Sequence, residues 1–169
     1  MTAYNFTSLV PDAINSPRWE AGKLYFVEFD YSNANVTFGS GDTITTPAGA
    51  LPNNGISIAD VEVISNALDT NATPTATFNV GDSGSAARFI SSANAGSSVS
   101  GAQVKTYINI AQTLSSGNVA TGPNYVYAQG TSPQLILAFN AAFATANTAP
   151  IIRMKVWYWC TGVYIGTAI

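Results

Sequence analysis

Histidine is absent from this 169-residue chain, cysteine occurs once, and only six basic and nine acidic residues are present. Histidine is the usual base for a nucleophilic serine and the commonest metal ligand. Its absence excludes a Ser-His-Asp triad and removes the preferred donor of most transition-metal sites. A single cysteine, Cys160, excludes an internal disulfide and a thiolate cage. It reads as a small buried hydrophobe in an aromatic strand, since activating its thiol would need a basic neighbour and only Arg153 and Lys155 are near in sequence. No catalytic, metal-binding or cofactor-binding residue is expected.

Charge is scarce as well as acidic. Charged residues make up 9% of the chain, where an average soluble domain carries about 25%. The six basic residues, Arg18, Lys23, Arg88, Lys105, Arg153 and Lys155, form no stripe, and a net charge of −3 opposes a phosphate backbone, so nucleic-acid binding is not expected. The apolar run from Ile151 to Cys160 is interrupted by Arg153 and Lys155, and no run approaches the roughly 20 residues of a membrane-spanning helix. No membrane partner is expected. Met1 to Pro11 lacks the basic and apolar regions of a secretory signal, so synthesis in a cytoplasm is the expectation. The sequons at Asn5, Asn35 and Asn71 then read as chance in a chain of 15 Asn and 18 Thr.

Apolar matter is plentiful, at 47% of residues, and 169 residues suit one domain with one core. It is arranged with period two. Lys23 to Tyr31 places Tyr25, Val27, Phe29 and Tyr31 on one face and Leu24, Phe26, Glu28 and Asp30 on the other. Asn35 to Phe38 reads as a short strand, closed by a Gly39-Ser40-Gly41-Asp42 turn. Asp42 to Thr45 is extended, and Pro47 to Gly55 is a breaker loop. Ile56 to Ser65 alternates with a phase shift near Ala59-Asp60, which a bulge or a change of packing partner would produce. Asp69 to Pro74 has the size of a hairpin connection. Thr75 to Val80 points Ala76, Phe78 and Val80 inward. Ala86 to Ile90, after a capping Ser85, is the one expected helical turn, and Ser91 to Ser100 an exposed loop.

Strands resume at Val104 to Ile110, Asn124 to Ala128, Leu135 to Asn140 and Ile151 to Cys160. The last carries Ile152, Met154, Val156 and Tyr158 on one face and Arg153, Lys155, Trp157 and Trp159 on the other. Roughly nine short strands with no long helix predict an all-β fold, an antiparallel β-sandwich or jelly roll over residues 21–169. Residues 1–20, aperiodic and holding Pro11 and Pro17, read as an extended N-terminal arm whose removal leaves the sandwich folded. Tyr4, Phe6, Leu9, Val10 and Trp19 of this arm, with Trp157 and Trp159, are the expected partner contacts.

Three motifs point to chemistry and lead elsewhere. Gly81-Asp82-Ser83-Gly84 has the letters found around a serine-protease nucleophile, but without histidine it reads as a turn, with a Ser83–Lys105 pair as the remaining option. Asp60 and Glu62 share a strand face and read as solvated carboxylates. Asp82 suits an Asx cap or a weak calcium ligand. No acid pair stands out for glycoside hydrolysis. The aromatics allow sugar stacking, yet strand aromatics fill cores and subunit interfaces more often.

In order along the chain, Val36-Thr-Phe-Gly-Ser-Gly-Asp-Thr-Ile44, Ile58-Ala-Asp-Val-Glu-Val-Ile64, Ala76-Thr-Phe-Asn-Val-Gly-Asp-Ser83 and Ala87-Arg-Phe-Ile90 resemble small β-sandwich structural proteins of tailed-phage virions. The later Leu135-Ile-Leu-Ala-Phe139 and Ile152-Arg-Met-Lys-Val-Trp-Tyr158 resemble their closing strands. The resemblance covers about residues 36–160. It implies a non-enzymatic virion component: a decoration or cement protein on the major capsid protein of the head shell, or a head-fibre or neck piece. It also implies a homo-oligomer, by preference a trimer. Few charges to blunt the sheet edges independently favour self-association. The alternative is a glycan-binding, host-recognition module of a tail fibre.

Overall fold

The computed structural model describes residues 1–8, 24–97, 103–107 and 125–161. Among them are eleven strands and no helix: β1 Ala3–Asn5, β2 Thr7–Ser8, β3 Leu24–Ser32, β4 Thr43–Thr45, β5 Ile56–Asn66, β6 Thr77–Asp82, β7 Ser85–Asn94, β8 Gln103–Tyr107, β9 Tyr125–Tyr127, β10 Ile136–Phe139 and β11 Ile151–Cys160. One sheet has the order β1-β4-β10-β6-β7, the other β2-β3-β11-β5-β8 with β9 also on β5. Successive strands from β3 to β6 alternate between the sheets, and β10 and β11 close the centre of each. This strand order resolves the sandwich as a jelly roll, two interleaved Greek keys. Pairing is antiparallel except between β1 and β4, which run parallel.

Alternation explains the layers. Val27, Phe29 and Tyr31 of β3, Ile152, Met154, Val156 and Tyr158 of β11, and Val61 and Val63 of β5 are buried, facing Ile44, Phe78, Val80, Leu137 and Phe139 of the other sheet. The phase shift in β5 is a bulge: Trp157 stands opposite Asp60 and Tyr158 opposite Ile58, leaving Ala59 as the extra residue. The bulge lets Ile56 and Ile58 return to the core alongside Val61 and Val63. Cys160 is buried at 2% exposure, and burial pushes its thiol up from its ordinary value.

Local expectations fail where tertiary pairing overrides the pattern. Asn35 to Phe38 is not a strand: Asn35 takes φ +66° and its N–H bonds Thr148 O at 2.8 Å, although Phe38 still reaches the core. Asp69 to Pro74 is no hairpin, because β5 and β6 belong to opposite sheets. Ala86 to Ile90 is strand rather than helical turn, since β7 pairs with β6 through two register shifts. That close approach requires glycine at 81, where a Cβ would lie 1.9 Å from Ser85 O. The expected loop from Ser91 continues β7 to Asn94, and Ala95 is fully buried; residues 98–100 lie outside the described residues.

Residues 1–8 depart furthest from a free arm. Ala3–Asn5 pair with Thr43–Thr45, Thr7 and Ser8 pair with Asp30 and Phe29, and Asp42 Oδ1 accepts the Thr2 N–H at 2.6 Å. The segment therefore adds a strand to each sheet. Phe6 between them is 3% exposed and its ring packs 6.4 Å from that of Phe29. Burying a phenylalanine contributes about 1.5–3 kcal/mol, so removing residues 1–20 takes away core as well as arm. Residues 9–20 lie outside the described residues.

Candidate functional site on the outer face of the six-stranded sheet

The face of β3, β11 and β5 turned away from the core is organised by cross-strand register, which sets directly opposed residues side by side. Leu24 opposes Trp159, Phe26 opposes Trp157, Glu28 opposes Lys155 and Asp30 opposes Arg153. On the other flank of β11, Trp157 opposes Asp60 and Lys155 opposes Glu62. The face thus divides into an apolar end and a charged belt.

The apolar end is exposed. Leu24 is 49%, Phe26 45%, Val126 55% and Trp159 38% accessible. The Phe26 and Trp157 rings lie 5.8 Å apart. Large side chains left in contact on a surface mark an interaction site more often than isolated ones do.

The belt is a network. Arg153 Nε and Nη2 donate to Asp30 Oδ1 and Oδ2 at 2.8 and 3.1 Å, and Nε lies 3.1 Å from Glu28 Oε1. Lys155 Nζ lies 3.9 Å from Glu28 and 3.7 Å from Glu62. The solvent-open Arg153–Asp30 pair contributes about 0–1 kcal/mol, so it fixes side chains more than it stabilises the fold. Glu62 corrects the sequence reading: at 5% exposure it is buried, not solvated. Asp60 keeps some exposure, but its Oδ1 is sealed without a hydrogen-bond partner. Burial, then the nearby Glu62 charge, raise its carboxyl above the ordinary value against a backbone hydrogen bond that lowers it. Beyond the belt, Ile64, Ser65, Asn66, Gln103, Ile151 and Arg153 line an open recess of about 360 Å³.

Two buried carboxylates brace the sandwich behind this face. Asp82, at the end of β6, accepts the Gly84 and Ser85 N–H groups at 2.8 and 2.9 Å, Arg88 Nε at 2.6 Å and Nη2 at 3.1 Å, and Tyr127 O–H at 2.6 Å. Arg88 also sits 3.8 Å from the Tyr125 ring centroid, a cation–π contact. The Asx-cap reading of Asp82 holds, and Ser83 is an exposed turn residue beside a carboxylate already occupied. The Lys105 side chain lies outside the described residues. At the other end Asp69, fully buried, accepts N–H groups of Asn71, Thr75, Ala76, Ala144 and Thr145 at 2.9 to 3.3 Å. Burial pushes its carboxyl up, and the backbone donors outweigh it, holding it at about 2. Among the described residues no three His, Cys, Asp or Glu are grouped to hold a metal ion.

Of the residues expected to touch a partner, Trp157 and Trp159 lie on this outer face. Phe6 does not: it fills the chain's own core. Tyr4 is half-buried, its ring 5.2 Å from Phe38 and 5.8 Å from Tyr31, and Leu9, Val10 and Trp19 lie outside the described residues. Leu24, Phe26 and Val126 were not anticipated. Their signal was apolar residues at the polar phase of a strand, visible at Leu24 and Phe26 once the β3–β11 register is known.

No family model and no curated protein matches the sequence. Solved structures do. A chain of the cyanophage Pam1 capsid asymmetric unit is 27% identical, with TM-score 0.62, over 82% of this chain and 86% of that one. A chain of the capsid of Ralstonia phage GP4 is 20% identical, with TM-score 0.55, over 90% of each; it attests the fold. A third, from the acid-stable capsid of Helicobacter pylori bacteriophage KHP30, is 13% identical, with TM-score 0.45, over 85% of this chain and 92% of that one.

Proposed function

We propose that this chain is a non-enzymatic structural protein of a tailed-phage virion, and that it decorates the head shell as a cement protein. The likeness to the Pam1 capsid chain carries this reading, because it spans most of both chains and joins sequence identity to fold. Features of the molecule support the reading. Its composition is rich in hydroxyl and amide side chains and poor in charge, two buried carboxylates brace it, and Leu24, Phe26 and Trp159 with the half-buried Trp157 offer an apolar footing.

Docking would act by buried area. Each Å² of apolar surface removed from water contributes about 25 cal/mol before association costs, and repetition over a shell multiplies the effect. The major capsid protein is the proposed partner, with Leu9, Val10 and Trp19 of the N-terminal segment adding contacts and trimeric self-association completing the unit.

Particles produced with and without this chain provide the test. Shells lacking it are expected to release their contents at a lower temperature or under milder denaturant, and adding purified chain is expected to restore them. Equal stability of both particles, with no uptake of added chain, would overturn the cement role.

A further inference from the structure

The proposed docking role leaves open what kind of surface the face accepts. Among the described side chains its charges are unbalanced: Glu28, Asp30, Asp60 and Glu62 stand against Arg153 and Lys155, while the side chain of Lys105, opposite Ile64 on β8, lies outside them. Arg153 and Lys155 are engaged with Asp30, Glu28 and Glu62. Asp60 is different, because no described cation pairs with it and its Oδ1 is sealed without a hydrogen-bond partner. Register places it beside Trp157, which touches Phe26 on its other flank.

A carboxylate with one oxygen sealed and unpaired is under-compensated, and burial, with the Glu62 charge, raises its pKa against a Val61 backbone hydrogen bond that lowers it. A cation brought over its remaining exposed edge would meet an attraction strengthened by apolar neighbours that exclude water. The same neighbours offer a seat for an uncharged side chain. Resting on the proposed shell-docking role, we infer that the apolar end and its acidic border form one docking face for a protein surface presenting an apolar side chain beside a lysine or arginine. Such a pairing divides the work: the apolar contact supplies affinity, and the charge pair sets register and on-rate.

Binding of the full chain to purified shells made without it, measured across a salt series, tests this directly. Wild-type affinity is expected to fall as salt rises. Asp60→Lys is expected to weaken binding at low salt by tenfold or more, with the difference shrinking at high salt as screening removes the repulsion. Trp157→Ala is expected to weaken binding by a similar factor at every salt concentration. Asp60→Asn, close to isosteric, guards against misfolding and is expected to weaken binding several-fold and flatten the salt dependence. Wild-type chain that fails to bind shells overturns the docking role itself. Wild-type binding matched by Asp60→Asn at all salt concentrations, or salt-independent wild-type binding, overturns the inference about partner chemistry and leaves the docking role standing.

Discussion

The Tyr127 hydroxyl donates to the Asp82 carboxylate at 2.6 Å, joining β9 of the six-stranded sheet to the end of β6 in the five-stranded sheet. This buried bond to an ionised acceptor ties one end of the sandwich together, with Arg88 clamped between Asp82 and the Tyr125 ring. A hydrogen bond to a charged group contributes about 1.5–3 kcal/mol. Tyr127→Phe, which removes only the hydroxyl, is expected to lower the free energy of unfolding by that amount, read as a lower urea midpoint at unchanged slope. A midpoint equal to wild type would show that Arg88 and the turn N–H groups hold Asp82 without it.

Asp69 makes stability depend on acid. Its carboxyl titrates at about 2 in the folded protein, below an unfolded value of about 3.9. Its contribution is therefore fully present above the unfolded value and is lost as pH falls through the folded one. The difference corresponds to roughly 2–3 kcal/mol, to be read by denaturant titration between neutral pH and pH values near 2. Asp69→Asn is expected to cost about 3 kcal/mol at neutral pH, because an amide presents an N–H group to backbone donors, and to flatten the acid limb. An unchanged acid limb would assign the pH dependence to other carboxylates.

Gly81 has no room for a side chain. A Cβ there meets Ser85 O at 1.9 Å and the Ala86 carbonyl carbon at 2.5 Å, both backbone atoms that cannot swing aside. Gly81→Ala is expected to destabilise by about 1–3 kcal/mol, measured by urea unfolding. A neutral result would mean that the β6–β7 hairpin opens freely at this point.

Cys160 is sealed at 2% exposure, with burial raising its thiol. Ellman's reagent is expected to react with it far more slowly in the native protein than in concentrated guanidinium. Equal rates would show that the end of β11 opens readily.

Much of this fold was legible because a half-buried strand announces itself by alternation. The inward rows of β3, β6 and β11 follow directly from it, and the slip near Ala59 was visible as a phase shift, which the register with β11 resolves as a bulge rather than a change of packing partner. What alternation cannot reveal is which strands meet. The jump of Asp69 to Pro74 between sheets, and β7 where Ala-Ala-Arg suggested a helical turn, depend on pairing with distant residues. Phe6 was misplaced for the same reason, since two- and three-residue edge strands carry no periodicity of their own. The candidate site was half legible: Trp157 and Trp159 stood out on the polar phase of β11, while their apolar neighbours Leu24 and Phe26 gained meaning only from the antiparallel register.

Quantitative mass spectrometry of purified particles, giving copies of this chain relative to the major shell protein, tests the central claim most directly. A ratio near one, or a simple fraction of it, is the result predicted for a protein that decorates the shell. A few copies per particle would contradict shell decoration in favour of a neck or fibre position, and absence from particles would contradict a virion role altogether.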